Sequence, residues 1–195
     1  MERKLPKFSA SQCAVFFDFD NTIASCDVLD NILPLFSSNK RWIELEKQWQ
    51  EGKIGSLKCL HGQLQGIRIT KRDLDEYLSG IKIDPYFNRL VKFLKEAKIK
   101  SAVLSDNFDY ILKSILKHNY IKGLKVYSNK LELSRNRLIP QFPYQAKKCS
   151  ICAHCKTKNL LANSFKNSII IYIGDGRSDI CPAKYADIVF AKDSL

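Results

Sequence analysis

Apolar and polar positions follow two different rhythms along this chain. Three strand-like runs, Val15–Phe17, Lys100–Leu104 and Ile169–Ile173, stop abruptly on polar residues: Asp18, Ser105 and Gly174-Asp175-Gly176. Short runs rich in Val, Ile and Phe, bounded by polar or glycine-rich tips, predict buried strands. A helical rhythm follows the second run, with Phe108, Ile111, Leu112, Ile115 and Leu116 at three- and four-residue steps. Ile180, Ala183, Lys184 and Tyr185 open a similar pattern after the third. Strand, polar tip and helix in repetition predict an α/β fold whose mainly parallel sheet carries helices on its faces. Ligands in such sheets bind beyond the carboxyl ends of the strands, where the three polar tips would gather.

The region between the first two tips has a different texture. Residues 26–84 carry four helix-like stretches, around Val28–Phe36, Arg41–Gln50, Ser56–Leu64 and Lys71–Leu78, with breaks at Pro34, Gly52, Gly66 and Gly80. A small helical bundle over the sheet edge is predicted, inserted into a core formed by residues 1–25 and 85–195. Val126–Phe142 reads as β-like and irregular, closed by Pro140 and Pro143.

Composition changes this picture little. With 195 residues, 45% hydrophobic and 27% charged, the chain has room for one globular domain with an insertion. No apolar run reaches the length of a membrane span, and Met1–Pro6 lacks the apolar segment of a signal peptide. Seven cysteines, an odd number, suit a reduced, cytoplasmic location. The net charge of +12 raises the question of nucleic acid. However, Lys92, Lys95, Lys98 and Lys100 flank the apolar stripe Phe87, Leu90, Val91 and Leu94, so they form a solvated helix face. No basic block is interleaved with stacking aromatics, which argues against nucleic-acid recognition. Oligomeric state is not encoded in any of these patterns.

Candidate chemistry concentrates at the tips. Asp18 and Asp20 follow a buried run one residue apart, and side chains two apart on an extended strand emerge on one side. Two like charges held together call for a cation, a shared proton or a chemical task. A carboxylate is a competent nucleophile toward phosphorus once a cation offsets its repulsion with the phosphate.

These residues resemble a known set. Asp18-Phe19-Asp20-Asn21-Thr22 is similar to the D-x-D-x-T motif of the haloacid dehalogenase (HAD) superfamily, Ser105 to its second motif, and Gly174-Asp175-Gly176-Arg177-Ser178-Asp179 to its fourth. Lys156 matches the third-motif lysine in spacing, with Lys147, Lys148 and Lys158 nearby. The resemblance spans nearly the whole chain. It implies a three-layer Rossmann-like core with a small helical C1 cap, and a phosphomonoesterase acting on a small phosphorylated metabolite. It also assigns roles: Asp18 as nucleophile, Asp20 as general acid and base, Ser105 as phosphoryl ligand and Lys156 as charge compensator. Mg²⁺ would be held by the Asp18 carboxylate, the Asp20 carbonyl and Asp175, with Asp179 in support. Ser105 could equally cap the following helix, and Asp179 could be a first-turn helix acid. The same residues could also serve phosphotransfer to another acceptor, or a binding module without turnover.

The helical insertion points to the phosphoserine-phosphatase-like group, subfamily IB. The Cys152–Lys156 and Ile173–Ala183 segments resemble those of the methionine-salvage and phosphoethanolamine/phosphocholine phosphatases. The phosphoserine enzymes carry Ser-Gly-Gly where this chain has Ser105-Asp106-Asn107, and their carboxylate-binding arginine falls at Gln63. An amide anchors a carboxylate poorly beside a bidentate guanidinium, so phosphoserine is disfavoured. Asp27 falls at the acid that contacts the substrate amine in those enzymes, and could bind an amine or a hydroxyl or cap the first cap helix. Asp106 is a substrate contact or a solvated loop acid; Thr22 and Asn107 join Asp27, Gln63 and Asp106 as substrate-binding candidates. Cys149, Cys152 and Cys155, with His154 among them, have spacing that could hold Zn²⁺ or simply order the approach to Lys156.

Overall fold

The computed structural model describes residues 9–146, 149 and 151–195. Met1–Pro6, and the alternative lysines Lys147 and Lys148, lie outside the described residues. Six strands form one sheet in the order β4-β3-β2-β1-β5-β6. They are β1 Cys13–Phe17, β2 Lys100–Phe108, β3 Lys125–Ser134, β4 Arg137–Gln141, β5 Ile169–Gly174 and β6 Ile188–Ala191. All neighbours are parallel except the β3–β4 pair. Strand β1 lies between β2 and β5, so the sheet order reverses around it, and a crevice at the carboxyl ends of such strands is the expected ligand site.

Four helices between β1 and β2, α1 Val28–Phe36, α2 Arg41–Gln50, α3 Ser56–Gln65 and α4 Lys71–Ser79, make up the insertion. The remaining helices are α5 Phe87–Glu96, α6 Asp109–His118, α7 Lys156–Asn163 and the short α8 Ile180–Ala183. Asp27 caps α1 by accepting the Asp30 N–H, and Thr70 caps α4 by accepting that of Asp73. Pro34 does not end α1, which runs on to Phe36. A proline this close to a helix end costs one backbone bond, a small loss where packing of Ile32 and Leu33 holds the turn. The 126–142 segment is more regular than its composition suggests. It forms a hairpin whose two turn residues, Arg135 and Asn136, both take positive φ, as a type I′ turn requires.

Alternation along β1 divides its side chains between two cores. Val15 and Phe17 join α1, α4, α5 and α6, while Ala14 and Phe16 pack with Leu104, Leu160 and Tyr172 on the other face. The first core is continuous from the sheet into the insertion, through Val28, Ile32, Leu33, Leu64, Leu74 and Leu78. The insertion is therefore anchored to the sheet by shared apolar burial, the dominant favourable term in packing two elements together. Lys92, Lys95, Lys98 and Lys100 are exposed, as the stripe pattern predicts. Among the described residues, no helix is long and apolar enough to cross a membrane.

Candidate active site

Strand β1 ends at Phe17, and the next residues turn sharply, with Asn21 at φ 52°. Asp18 and Asp20 thus share no regular strand face, yet both line one cavity of about 480 Å³ at the carboxyl ends of β1, β2 and β5. Asp18 is buried, and its Oδ1 accepts the Phe19 N–H at 2.7 Å and pairs with Lys156 Nζ at 2.7 Å. Asp175, just past β5, is held by Thr22, whose Oγ1 donates to Asp175 Oδ1 at 3.0 Å. Thr22 therefore orients an acid of the site.

Lys156 begins α7 and is buried with 2% of its side chain exposed. Burial alone would lower its pKa, but Asp18, Tyr172 and Asp179 outweigh that and hold the ammonium protonated well above its ordinary range. Asp179 is fully buried and saturated with donors: Lys156 Nζ and Tyr172 OH on Oδ1, the Asp175 and Gly176 amides on Oδ2. Gly174 permits this, because a Cβ there would lie 2.6 Å from Asp179 Oδ2. Asp179 is no simple first-turn acid; it braces Lys156 and the Asp175 loop together. Burial pushes Asp18 well above the usual carboxylate range, and the charge of Asp179 adds to this against the pull of Lys156.

The donor set suits a hard divalent cation. Carboxylate oxygens of Asp18, Asp175 and Asp179 lie within 4.8 Å of one another, and among the described residues no other group of three acidic, cysteine or histidine ligands converges. Oxygen-only ligation of this kind matches Mg²⁺. The Zn²⁺ expectation at Cys149, Cys152 and Cys155 is not supported. Zinc needs three or four converging ligands, whereas among the described residues the sulfurs of Cys149, Cys152 and Cys155 do not come together as a group of three with one another or with His154. The loop instead docks on the insertion. Ser56 Oγ accepts the Ala153 N–H at 2.9 Å, and Gly55 leaves room for Ile151, whose carbonyl oxygen would sit 2.4 Å from any Cβ. Nearby His154 is buried, tilted against the Tyr144 ring, and kept neutral, with its pKa pushed down to about 3 by burial and the charge of Lys156.

Other predicted residues fall in varied places. Ser105 is buried within β2, its Oγ accepting the Asn107 N–H, and α6 starts only at Asp109, so it caps no helix. Asp27 caps α1 and also lines the cavity, as does Asp106. Gln63 is buried outside the lining, where its amide donates to Glu46 Oε2 at 3.1 Å; it reaches the cavity only through Glu46. Asn107 lines the cavity, but its amide is directed at the Asp20 carboxylate.

The sequence reading misses Asp30, Glu46, Trp49 and Arg177, all in the cavity wall. Asp30 stands one helical turn after Asp27 on α1, a spacing that could have signalled it. Arg177 carried no local signal. Its guanidinium donates to the Trp49 and Gln50 carbonyls at the end of α2 and lies 5.8 Å from the Trp49 ring. It ties the insertion to the Asp175 loop, where a cation meets the negative end of a helix. Arg177→Ala is expected to raise KM several-fold and to increase proteolytic cutting within residues 41–55, with the fold retained; limited proteolysis beside steady-state kinetics checks both.

Comparison with known proteins agrees with this geometry. The 2-hydroxy-3-keto-5-methylthiopentenyl-1-phosphate phosphatase of Bacillus cereus is 27% identical over 190 residues, covering 93% of this chain and 84% of its own. That of Bacillus cytotoxicus is 28% identical over 188 residues, with the same coverage. A substrate-bound phosphoserine phosphatase superposes with a TM-score of 0.73 at 18% identity, covering 97% of this chain and 89% of that one. A phospho-aspartyl intermediate analogue of phosphoserine phosphatase gives a TM-score of 0.72 at 19% identity, over 92% and 85%. The matched family and the phosphatase relatives, together with a Rossmann-like sheet that has acids at its switch point and a helical insertion after β1, make the chain a HAD-type phosphatase, a phosphoric monoester hydrolase. Within that class the chain belongs to the family described as Putative Phosphatase, matched over residues 13–193.

Proposed function

We propose that this enzyme hydrolyses a small phosphomonoester bearing a cationic group, with residues 26–84 acting as a cap over the site. The observation that carries this is the cavity wall. Besides Asp18 and Asp175, it carries Asp27, Asp30, Glu46 and Asp106. Arg177 is the one basic residue among the described lining, and its guanidinium serves backbone carbonyls. Four carboxylates repel a phosphate dianion unless the ligand brings positive charge of its own; an ammonium group does so. Leu29, Trp49 and Leu60 supply apolar wall for carbon substituents on it.

The chemistry follows from the residues. Asp18 attacks phosphorus while the bond to the leaving oxygen breaks, giving an aspartyl-phosphate and an alcohol. Asp20 gives its proton to the leaving oxygen, then takes one from the water that cleaves the aspartyl-phosphate. Lys156 stays protonated and offsets charge around Asp18, and the Ser105 hydroxyl is the proposed ligand of a phosphoryl oxygen. Asp18, Asp175 and the Asp20 carbonyl would hold Mg²⁺, with Asp179 behind them; when bound, it offsets the repulsion between carboxylate and phosphate. The seven free thiols suit a reducing, cytoplasmic setting.

A panel of phosphomonoesters with Mg²⁺ tests the substrate class, comparing phosphoethanolamine and phosphocholine with phosphoserine and uncharged alkyl and thioalkyl phosphates. The ammonium esters are expected to show the higher kcat/KM; preference for an uncharged thioalkyl ester would overturn the cationic reading. The acids add a pH signature. Partial withdrawal from water, with Asp27, Glu46 and Asp106 nearby, pushes Asp30 up to about 7, and burial brings Asp27 to about 6. KM for an ammonium ester should therefore rise as pH falls from 8 to 5. Stability runs the other way. An unfolded aspartate titrates near about 4, so the folded chain binds more protons between there and about 7, and stability falls as pH rises through that window. Asp30→Asn should thus raise stability at pH 8 by about 1 kcal/mol, discounted for its exposed position, while weakening the ammonium ester. Thermal denaturation and KM measured together check this.

A further inference from the structure

Asn107 makes more of its side chain than a cavity-lining residue needs to. Its Nδ2 lies 3.1 Å from Asp20 Oδ1 and 3.1 Å from Asp20 Oδ2. Its Oδ1 accepts the Phe108 N–H at 2.7 Å, and its own N–H donates to Ser105 Oγ at 3.1 Å. This fixes the amide orientation. Turned over, the oxygen would face two carboxylate oxygens, and the NH₂ would face an N–H. The residue is buried, and the register shift between Leu104 and Phe108 in β2 sets its direction. Thus β2 holds a rigid donor against Asp20.

We propose that Asn107 is a positioning residue that holds the Asp20 carboxyl in one orientation for proton delivery. The inference rests on the acid–base reading of Asp20 given above. The Val28 N–H at the start of α1 also donates to Asp20 Oδ1, at 3.0 Å. Oδ1 therefore accepts from two groups and Oδ2 from one. Because Asn107 reaches both oxygens, its contact survives whichever of them gives up the proton. The carboxyl thus keeps one orientation through both halves of the reaction: the proton moves to the leaving oxygen as the P–O bond breaks, and the carboxylate then takes a proton from water. Val28 links the same carboxylate to the helical insertion, which ties the acid to that element as well.

The leaving group distinguishes this role from a purely structural one. An alkoxide needs a proton as it departs, whereas p-nitrophenolate departs without one, and kcat/KM reports only the steps through the first irreversible one. The experiment compares Asn107→Asp and Asn107→Ser with wild type, Mg²⁺ present, on phosphoethanolamine, an uncharged alkyl phosphate and p-nitrophenyl phosphate. Asn107→Asp keeps the acceptor for Phe108 and loses the donor to Asp20; Asn107→Ser keeps a short donor and covers the case where the first variant does not fold. The expected result is a loss of about 30-fold or more in kcat/KM on both alkyl esters, against less than about 5-fold on the aryl ester. Equal losses on alkyl and aryl esters, or none, overturn the inference. Asp20→Asn serves as the control. If it too lacks leaving-group dependence, the acid role of Asp20 fails; if it shows that dependence and the Asn107 variants do not, only the positioning inference fails.

Discussion

Asp18→Asn is expected to lower phosphatase turnover by about four orders of magnitude or more, with the fold intact. The amide is nearly isosteric, but its nitrogen and oxygen are poor nucleophiles toward phosphorus, so no acyl-phosphate forms. Stability separates this from simple damage. Asp18 is buried beside Asp179, and burial holds its pKa high, so without a divalent cation its charge is a burden on the fold. The variant should melt at or above the wild-type temperature in chelator, because Lys156 keeps its 2.7 Å pair with Asp179. Mg²⁺ should raise the wild-type melting temperature more than that of the variant, since a ligand that binds the folded state stabilises it in proportion to affinity. Melting curves with EDTA and with Mg²⁺, beside turnover of p-nitrophenyl phosphate, check the prediction. Undiminished turnover in Asp18→Asn would end the nucleophile assignment.

Lys156→Met should damage both activity and stability. Its ammonium is the shared partner of Asp18 and Asp179, at 2.7 Å from each, and all three groups are buried. Removing the cation leaves buried carboxylates uncompensated, which costs about 3–5 kcal/mol in comparable settings. For a chain of this length that corresponds to a fall of roughly 6–20 °C in melting temperature. Turnover should drop by about 1,000-fold, because charge builds up near Asp18 as phosphorus is attacked. The double variant Lys156→Met/Asp179→Asn discriminates the causes. It should recover part of the stability, since one buried charge is gone, and none of the activity. Recovery of activity would show that Lys156 serves only to neutralise Asp179.

The folded site explains why some of it could be read from the chain and some could not. Asp18, Asp175 and Asp179 were legible because each sits at a fixed offset from a strand whose apolar pattern is strong. The four inserted helices were legible for the same reason: apolar positions at three- and four-residue steps, with glycines separating α2 from α3 and α3 from α4, though the break read at Pro34 falls inside α1. Asn107 was readable as a site residue, but its partner was not, because Asp20 lies 87 positions away. Gln63 looked like a substrate contact from its alignment; α3 turns it inward onto Glu46. The cysteine spacing allowed a metal, yet the folded loop does not bring the three sulfurs together.

The sequence by itself determined the parallel sheet, the helical insertion and the acids at the strand tips. These depend on local periodicity and on side chains that a single strand and its following turn can place. Only the tertiary structure decided how charge is distributed around those acids. Lys156 meets Asp18 from 138 positions away in sequence, and Arg177 meets Trp49 from 128. The ring of Asp27, Asp30, Glu46 and Asp106 exists because α1, α2 and β2 close on one cavity. Coulomb and hydrogen-bond energies depend on separation in space and on burial, and neither is a property of spacing along the chain.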